Sequence, residues 1–174
     1  MFKKNAVILQ PYCSKDATEM RKIKNPWAGK DGYNCFGCAP GNPIGLHIDF
    51  YEDADEVVGI WHPGPNYQGW IDTLHGGIIA TLVDETGAWL ITRKLQTTAM
   101  TVRLNIQYKH PIMTTDQCVT VRTSIAQQMR NFVTVNVDVL DSKDKLCARG
   151  EATYCTFDHE RARQMGFTGC ELEP

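Results

Sequence analysis

The stretch that most constrains this chain is Leu74-His75-Gly76-Gly77-Ile78-Ile79-Ala80-Thr81-Leu82-Val83-Asp84-Glu85. Two glycines mark a turn that leads at once into an apolar helix, and an acid sits about two turns along it. Ile78, Ile79, Leu82, Val83, Trp89 and Leu90 recur at helical spacings, so the helix presents a wide apolar stripe and packs deeply. At about 100° per residue Asp84 points away from that stripe. Its neighbours one turn to either side, Ala80, Thr81, Gly87 and Ala88, are small and leave space beside the carboxylate. A helix start carries unpaired backbone NH groups and the positive end of the macrodipole, which suits it to an oxyanion. Glycine at 76 and 77 lets a ligand carbonyl approach those NH groups. The plainer alternative is that the glycines only turn the chain and Asp84 only faces water.

What surrounds this helix is ordinary for one domain: 174 residues, 43% hydrophobic and 22% charged. A net charge of -2 gives no basic footprint, so a nucleic-acid partner is not expected. No apolar run approaches the roughly 18 residues of a membrane span. The run Ala6-Val7-Ile8-Leu9 after Lys3 and Lys4 is too short for a signal-peptide core, so a cytoplasmic protein is expected. Seven cysteines, an odd number without regular spacing, fit reduced thiols better than a disulfide scaffold.

Along the chain, residues 14–25 suggest a short polar helix capped by Ser14 or Asp16, with Met20 and Ile23 as its apolar contacts. A Pro- and Gly-marked loop from Asn25 to Gly32 follows. Cys35-Phe36-Gly37-Cys38 is half of a structural zinc site, but no second pair appears downstream, and Pro40, Gly41, Pro43 and Gly45 follow where a thioredoxin-type centre needs a helix. It reads as a turn-rich structural segment, with a redox pair the weaker alternative and no metal and no cofactor expected. Residues 46–51 and 57–62 form a strand, turn, strand unit. Downstream of the helix Val102, Leu104, Ile106 and Tyr108, then Val119 and Val121, then Val133, Val135, Val137 and Val139 alternate with polar residues, and a last run extends from Leu146 to Phe157. Short connections at 110–116, 127–131 and 141–145 imply antiparallel neighbours. A short polar helix is expected from Asp158 to Gln164. A sheet of about six strands then has one long helix to cover its apolar face and should curl around it.

This layout, with His75-Gly76-Gly77 and Asp84 nine residues after the histidine, resembles the hotdog-fold acyl-CoA thioesterases of the PaaI type. The resemblance covers roughly residues 33 to 157 and includes Asn34-Cys35-Phe36-Gly37-Cys38 with Asn42-Pro43-Ile44-Gly45-Leu46, similar to a lead-in segment of some members. It implies an α+β hotdog fold, a curved antiparallel sheet of about six strands wrapped around one long central helix. Residues 1–32 would be an extension with a short helix and loop, 33–157 the hotdog domain and 158–174 a tail.

The resemblance also implies roles. Asp84 would be nucleophile or general base, the Gly76 NH would polarise the thioester carbonyl, and Thr101 would help place the carboxylate or water. Relatives build such sites across a dimer interface, so acyl-CoA as substrate and a homodimer or dimer of dimers as assembly are implied. The residues agree: a thioester has a good leaving group, so one carboxylate and one positive helix end suffice without metal. His75 would position the turn, with a role as base the rival reading. Gly77, Gln68, Glu85 and Arg130 are candidates for substrate contacts, and Arg149 is a further candidate for CoA phosphates. Glu85 ranks second to Asp84 as the acid, lying about 100° round the helix beside Trp89. Many relatives carry Asn or Gln six residues before the histidine, where this chain has Gly69, with Gln68 one residue earlier. Two other functions stay open: an acyl-ligand-binding hotdog protein without hydrolysis, for which Gly69 speaks, and a hotdog dehydratase or hydratase using Asp84 with His75.

Overall fold

A computed structural model describes residues 20–174. Its centre is the helix α1, Gly76–Lys94, which buries Ile79, Leu82, Val83, Trp89, Leu90 and Ile91, as the apolar stripe requires. Around it runs a seven-stranded sheet in the order β1-β2-β3-β7-β8-β9-β6, every neighbouring pair antiparallel. The strands are β1 Arg21–Lys22, β2 Asp49–Asp53, β3 Glu56–Trp61, β6 Ala99–Tyr108, β7 Val119–Met129, β8 Phe132–Leu140 and β9 Leu146–Thr156. A small separate ribbon, β4 Gln68–Trp70 with β5 Thr73–Leu74, leads into α1. This is the expected α+β hotdog fold, a curved sheet around one central helix.

The period-2 patterns decide which side of the sheet meets the helix. Val133, Val135, Val137 and Val139 are fully buried while Asn136 between them is exposed. Helix and sheet approach closely at Gly87, where an added Cβ would lie 2.2 Å from the Tyr154 hydroxyl oxygen. At the far end of α1, Arg93 and Lys94 both donate to Glu52 on β2, Arg93 Nε at 2.8 Å and Lys94 Nζ at 2.8 Å. Cations in the last turn suit the helix dipole, and this cluster clamps the helix C-terminus to the sheet.

Several expectations need correction. The polar helix over 14–25 is not formed in its described part: Arg21 and Lys22 pair with Glu52 and Tyr51, and Ile23 bridges Leu172. The remainder of that segment, and the apolar run near the start, lie outside the described residues. Pairing with β2 adds the seventh strand, because an extended backbone at a sheet edge satisfies its NH and C=O groups there. The connection expected at 127–131 shrinks to Arg130 and Asn131, since Met129 already pairs with Phe132 and Arg130 takes the turn at φ 56°. Alternation in β6 does not bring its apolar side into the core: Met100 is 62% and Val102 54% exposed. β6 is the last strand of the sheet, so its outer side has no neighbouring strand among the described residues. Among the described residues five cysteines are free thiols, against a disulfide scaffold, while Cys118 is disulfide-bonded; sequence spacing does not show which sulfurs meet in space. The polar helix near the C-terminus forms as α2, His159–Gln164, with the Asp158 side chain accepting from the Arg161 NH.

Candidate active site

The turn before α1 is built by its histidine. His75 is the N-cap residue, in extended conformation, and its Nδ1 accepts the Gly77 NH at 2.8 Å. An Nδ1 that accepts has no proton, so the ring proton of the neutral imidazole lies on Nε2. This arrangement satisfies one of the orphan NH groups and leaves the Gly76 NH, the first of the helix, without an intrahelical acceptor. The Tyr108 hydroxyl donates to the Gly76 carbonyl at 2.9 Å, and the Tyr108 ring lies 3.5 Å from where a Cβ on Gly76 would stand. A strand from the far side of the sequence thus packs on the glycine face of the turn.

About 12 Å further along the helix axis stands Asp84, half-buried. The Thr101 hydroxyl donates to Asp84 Oδ1 at 2.7 Å. The Tyr154 hydroxyl donates to the Asp84 backbone carbonyl at 2.8 Å, and burial together with the Asp84 charge pushes Tyr154 up, so it stays a donor. Gly87 makes this second bond possible, since any side chain there would occupy the tyrosine's place. The carboxylate is therefore oriented by one hydroxyl, while the backbone beneath it is held by another. Thr101 itself is exposed on the outer strand β6.

The remaining candidates separate. Glu85 turns to the other side of the helix, where Trp89 Nε1 donates to its Oε1 at 3.2 Å and Cys35 Sγ approaches the same oxygen at 3.4 Å. Gly77 gives its NH to His75. Gln68 and Gly69 are exposed on β4, and an added Cβ at Gly69 would meet His75 Cα at 3.0 Å. Arg130 is exposed in the β7–β8 turn, and the register Met129↔Phe132, Phe132↔Cys155, Cys155↔Met100 puts that turn at the same end of the sheet as Thr101. Arg149 makes a bidentate pair with Asp138 at 2.7 and 3.1 Å, so its charge is already matched. The hydroxyls of Tyr108 and Tyr154 are not among the expected site residues, since Tyr108 reads as an apolar member of an alternating strand and Tyr154 falls inside the run from Leu146 to Phe157.

A cavity of about 300 Å³ lies beside Glu85 and Ala88, one helical turn from Asp84, walled by Trp27 and Trp89 and reached by both Cys35 and Cys38. The Cys35-to-Cys38 segment is held as a turn by the sheet, with the Leu46 NH on the Phe36 carbonyl at 2.7 Å and the Ile48 NH on the Gly37 carbonyl at 3.0 Å. Hydrogen bonding with Cys38 lowers the Cys35 thiol, and the same bond together with burial raises Cys38.

Comparison with known proteins bears on the fold that carries this site. Residues 72–148 match the thioesterase superfamily, a span that includes α1, Asp84 and Thr101. A Saccharomyces cerevisiae protein described as an uncharacterized mitochondrial membrane protein, FMP10, is 31% identical over 118 residues, 66% of this chain and 48% of that protein. The chain thus spans about half the length of that curated relative. Among solved structures, the PaaI protein from the phenylacetic acid degradation operon of Escherichia coli is 17% identical with a TM-score of 0.59, over 64% of this chain and 80% of that one. A hypothetical thioesterase from Streptococcus pneumoniae, solved with coenzyme A, is 19% identical with a TM-score of 0.55, over 58% of this chain and 80% of its own. These structures share the hotdog fold of this chain, and the match to the thioesterase superfamily covers its residues 72–148.

Proposed function

We propose that this protein is an acyl-CoA thioesterase in which Asp84 is the nucleophile or the general base for water and the Gly76 NH stabilises the developing oxyanion. The observation that carries the reading is the Thr101 to Asp84 bond of 2.7 Å, which presents an oriented, half-buried carboxylate at the exposed edge strand. In the chemistry that follows, a water or the carboxylate attacks the thioester carbon, negative charge moves to the carbonyl oxygen, and the thiolate of CoA departs. His75, with Nδ1 committed to the Gly77 NH, acts as the cap that shapes the oxyanion turn. Gln68 and Arg130 are retained as substrate contacts, Arg130 for CoA phosphates at the Thr101 end of the sheet, while Gly77, whose NH goes to His75, keeps the turn open to substrate.

Length decides the assembly. Gly76 and Asp84 are eight residues apart on one helix, about 12 Å at 1.5 Å per residue. One thioester carbonyl cannot touch both within a subunit, because attack needs its carbon within about 3.5 Å of the nucleophile. A second copy joined at β6 would bring the Gly76 turn of one chain toward Asp84 of the other, so the reading includes a homodimer or a dimer of such dimers. The unpaired outer side of β6, with Met100 and Val102 exposed, suits that contact.

Among the described residues no helix is long and apolar enough to cross a membrane. We place the protein in the cytoplasm; since the yeast relative is named as a mitochondrial membrane protein, fractionation of cells is the direct check. The second functional reading, an acyl-ligand binder without hydrolysis, rests on Gly69, which offers no amide to orient substrate beside His75.

The experiment is hydrolysis of a panel of acyl-CoA thioesters by the wild-type protein and by Asp84→Asn, followed by thiol release. The reading expects turnover that drops roughly 10²–10⁴-fold in the folded variant. Tight acyl-CoA binding without turnover of any panel member would move the protein to the second reading.

A further inference from the structure

We propose that Cys35, Cys38 and Glu85 form a binding site for one divalent transition-metal ion of the zinc type, with its fourth coordination position open to the adjoining cavity. The sequence lacks a second cysteine pair, but the fold supplies the third ligand from α1. The two sulfurs and a Glu85 carboxylate oxygen all lie within 4.8 Å of one another. Around a tetrahedral ion, bonds of about 2.3 Å to sulfur and 2.0–2.2 Å to oxygen put neighbouring ligand atoms roughly 3.5–3.8 Å apart. The distance from Cys35 Sγ to Glu85 Oε1 is 3.4 Å, close to one such edge.

The surroundings are those of a ligand set rather than of two idle thiols. The Gly37 NH donates to Cys35 Sγ at 3.3 Å. Asn25 Nδ2 donates to the Tyr33 hydroxyl oxygen at 3.0 Å, and Tyr33 shares a hydrogen bond of 2.8 Å with Cys38 Sγ in which the tyrosine is the donor once Cys38 is a thiolate. Trp89 Nε1 donates to Glu85. Each ligand thus has its own outer donor, the pattern that orients ligands and stabilises thiolates at a metal. Gly37 provides the independent sign that the carboxylate is meant to sit here. An added Cβ would fall 2.6 Å from Glu85 Cγ and Cδ and 2.7 Å from Oε2, so only glycine lets the acid close over the Cys-x-x-Cys turn. Among the described residues the ion pairs do not include Glu85, which leaves its charge at the two sulfurs without a cationic side chain.

Two soft thiolates and one carboxylate in a tetrahedral arrangement select zinc or a similar ion over magnesium or calcium. Binding forms two metal–sulfur bonds and one metal–oxygen bond and releases the Cys35 and Cys38 thiol protons to solvent; no electrons move. The three protein ligands leave one position for water or another ligand from the cavity. The bound ion would tie the lead-in turn to the helix next to Asp84, whatever reaction Asp84 performs.

The test uses the full chain, reduced, stripped with a chelator and titrated with Co²⁺ and then Zn²⁺ under anaerobic conditions. Expected are one Co²⁺ per chain, visible ligand-field bands of a tetrahedral site, near-ultraviolet sulfur-to-cobalt charge transfer, and displacement by Zn²⁺. Peptide mapping after alkylation should find Cys35 and Cys38 protected by Zn²⁺ and reactive without it, a readout that needs no variant. Cys35→Ser and Cys38→Ser should lose the charge-transfer bands, Glu85→Gln should weaken uptake and alter the ligand-field bands, and Tyr33→Phe should weaken uptake roughly 10–100-fold. An octahedral spectrum without charge transfer, absence of stoichiometric uptake, or equal alkylation of Cys35 and Cys38 with and without Zn²⁺ would overturn the site. So would a Cys35–Cys38 disulfide in protein that takes up no metal after reduction, which would make the pair a redox couple instead.

Discussion

Asp84 shows how one side chain can be set by two others that the sequence places far away. Thr101 holds the carboxylate and Tyr154 holds the backbone beneath it. Replacing Thr101 with Val removes the bond that orients the Asp84 carboxylate, and since water can take the place of this exposed hydroxyl the loss falls on orientation rather than on folding. Thioester turnover should fall roughly 10–100-fold while the melting temperature stays near wild type, because Thr101 is exposed. Gly87 and Tyr154 make a second pair. Gly87→Ala forces a methyl group into the Tyr154 hydroxyl and should destabilise by about 1–3 kcal/mol, whereas Tyr154→Phe should cost about 1 kcal/mol. Since the clash is with the hydroxyl oxygen, the double variant should recover part of the Gly87→Ala loss in denaturant titrations. Additive losses would mean that the tyrosine ring, not its hydroxyl, sets the limit.

At the scale of the element, both ends of α1 are fastened by side chains. His75 caps the start, and its replacement by Ala should cost about 1 kcal/mol in denaturant titrations and loosen the turn at Gly76 and Gly77. At the other end Glu52 receives Arg93 and Lys94. Burial by itself raises the Glu52 carboxyl, but the bonds and charges of the two cations outweigh it and hold the group below its ordinary range. A carboxyl with a depressed folded pKa contributes stability in full above its unfolded value, near 4.3, and loses it as pH falls through the lower folded value. Glu52→Gln should therefore destabilise the protein at neutral pH by about 1–2 kcal/mol. The gap to wild type should close in chemical denaturation curves taken progressively below about pH 4.

For the whole molecule, the open side of β6 matters most. A strand with exposed Met100 and Val102 at the end of a seven-stranded sheet invites pairing with another chain. Substituting Val102 with Glu should convert the proposed dimer to monomers in analytical ultracentrifugation. On the proposed two-chain site it should also abolish turnover with Asp84 and Thr101 intact, because Gly76 and Asp84 stand about 12 Å apart on one helix. A fully active monomer would show that one chain holds a complete site.

Much of this protein follows from residue order alone. The stripe Ile79, Leu82, Val83, Leu90 announces the central helix, and the valines at 133, 135, 137 and 139 announce a strand with one buried face, because helix and strand periods depend only on local backbone geometry. Asp84, Thr101 and the glycine turn are legible through the spacing that resembles a known family. What local order does not contain is which distant groups meet. Arg21 and Lys22 became a strand because β2 offered hydrogen-bond partners. The apolar side of β6 stayed exposed because topology placed it at the edge. Glu85 met Cys35 because the sheet folded the 35–38 turn onto the helix, and a separation of 50 positions along the chain carries no record of that contact. Propensity and periodicity act over a few residues, whereas a site is assembled by packing, and packing is settled only when the whole sheet has closed around its helix.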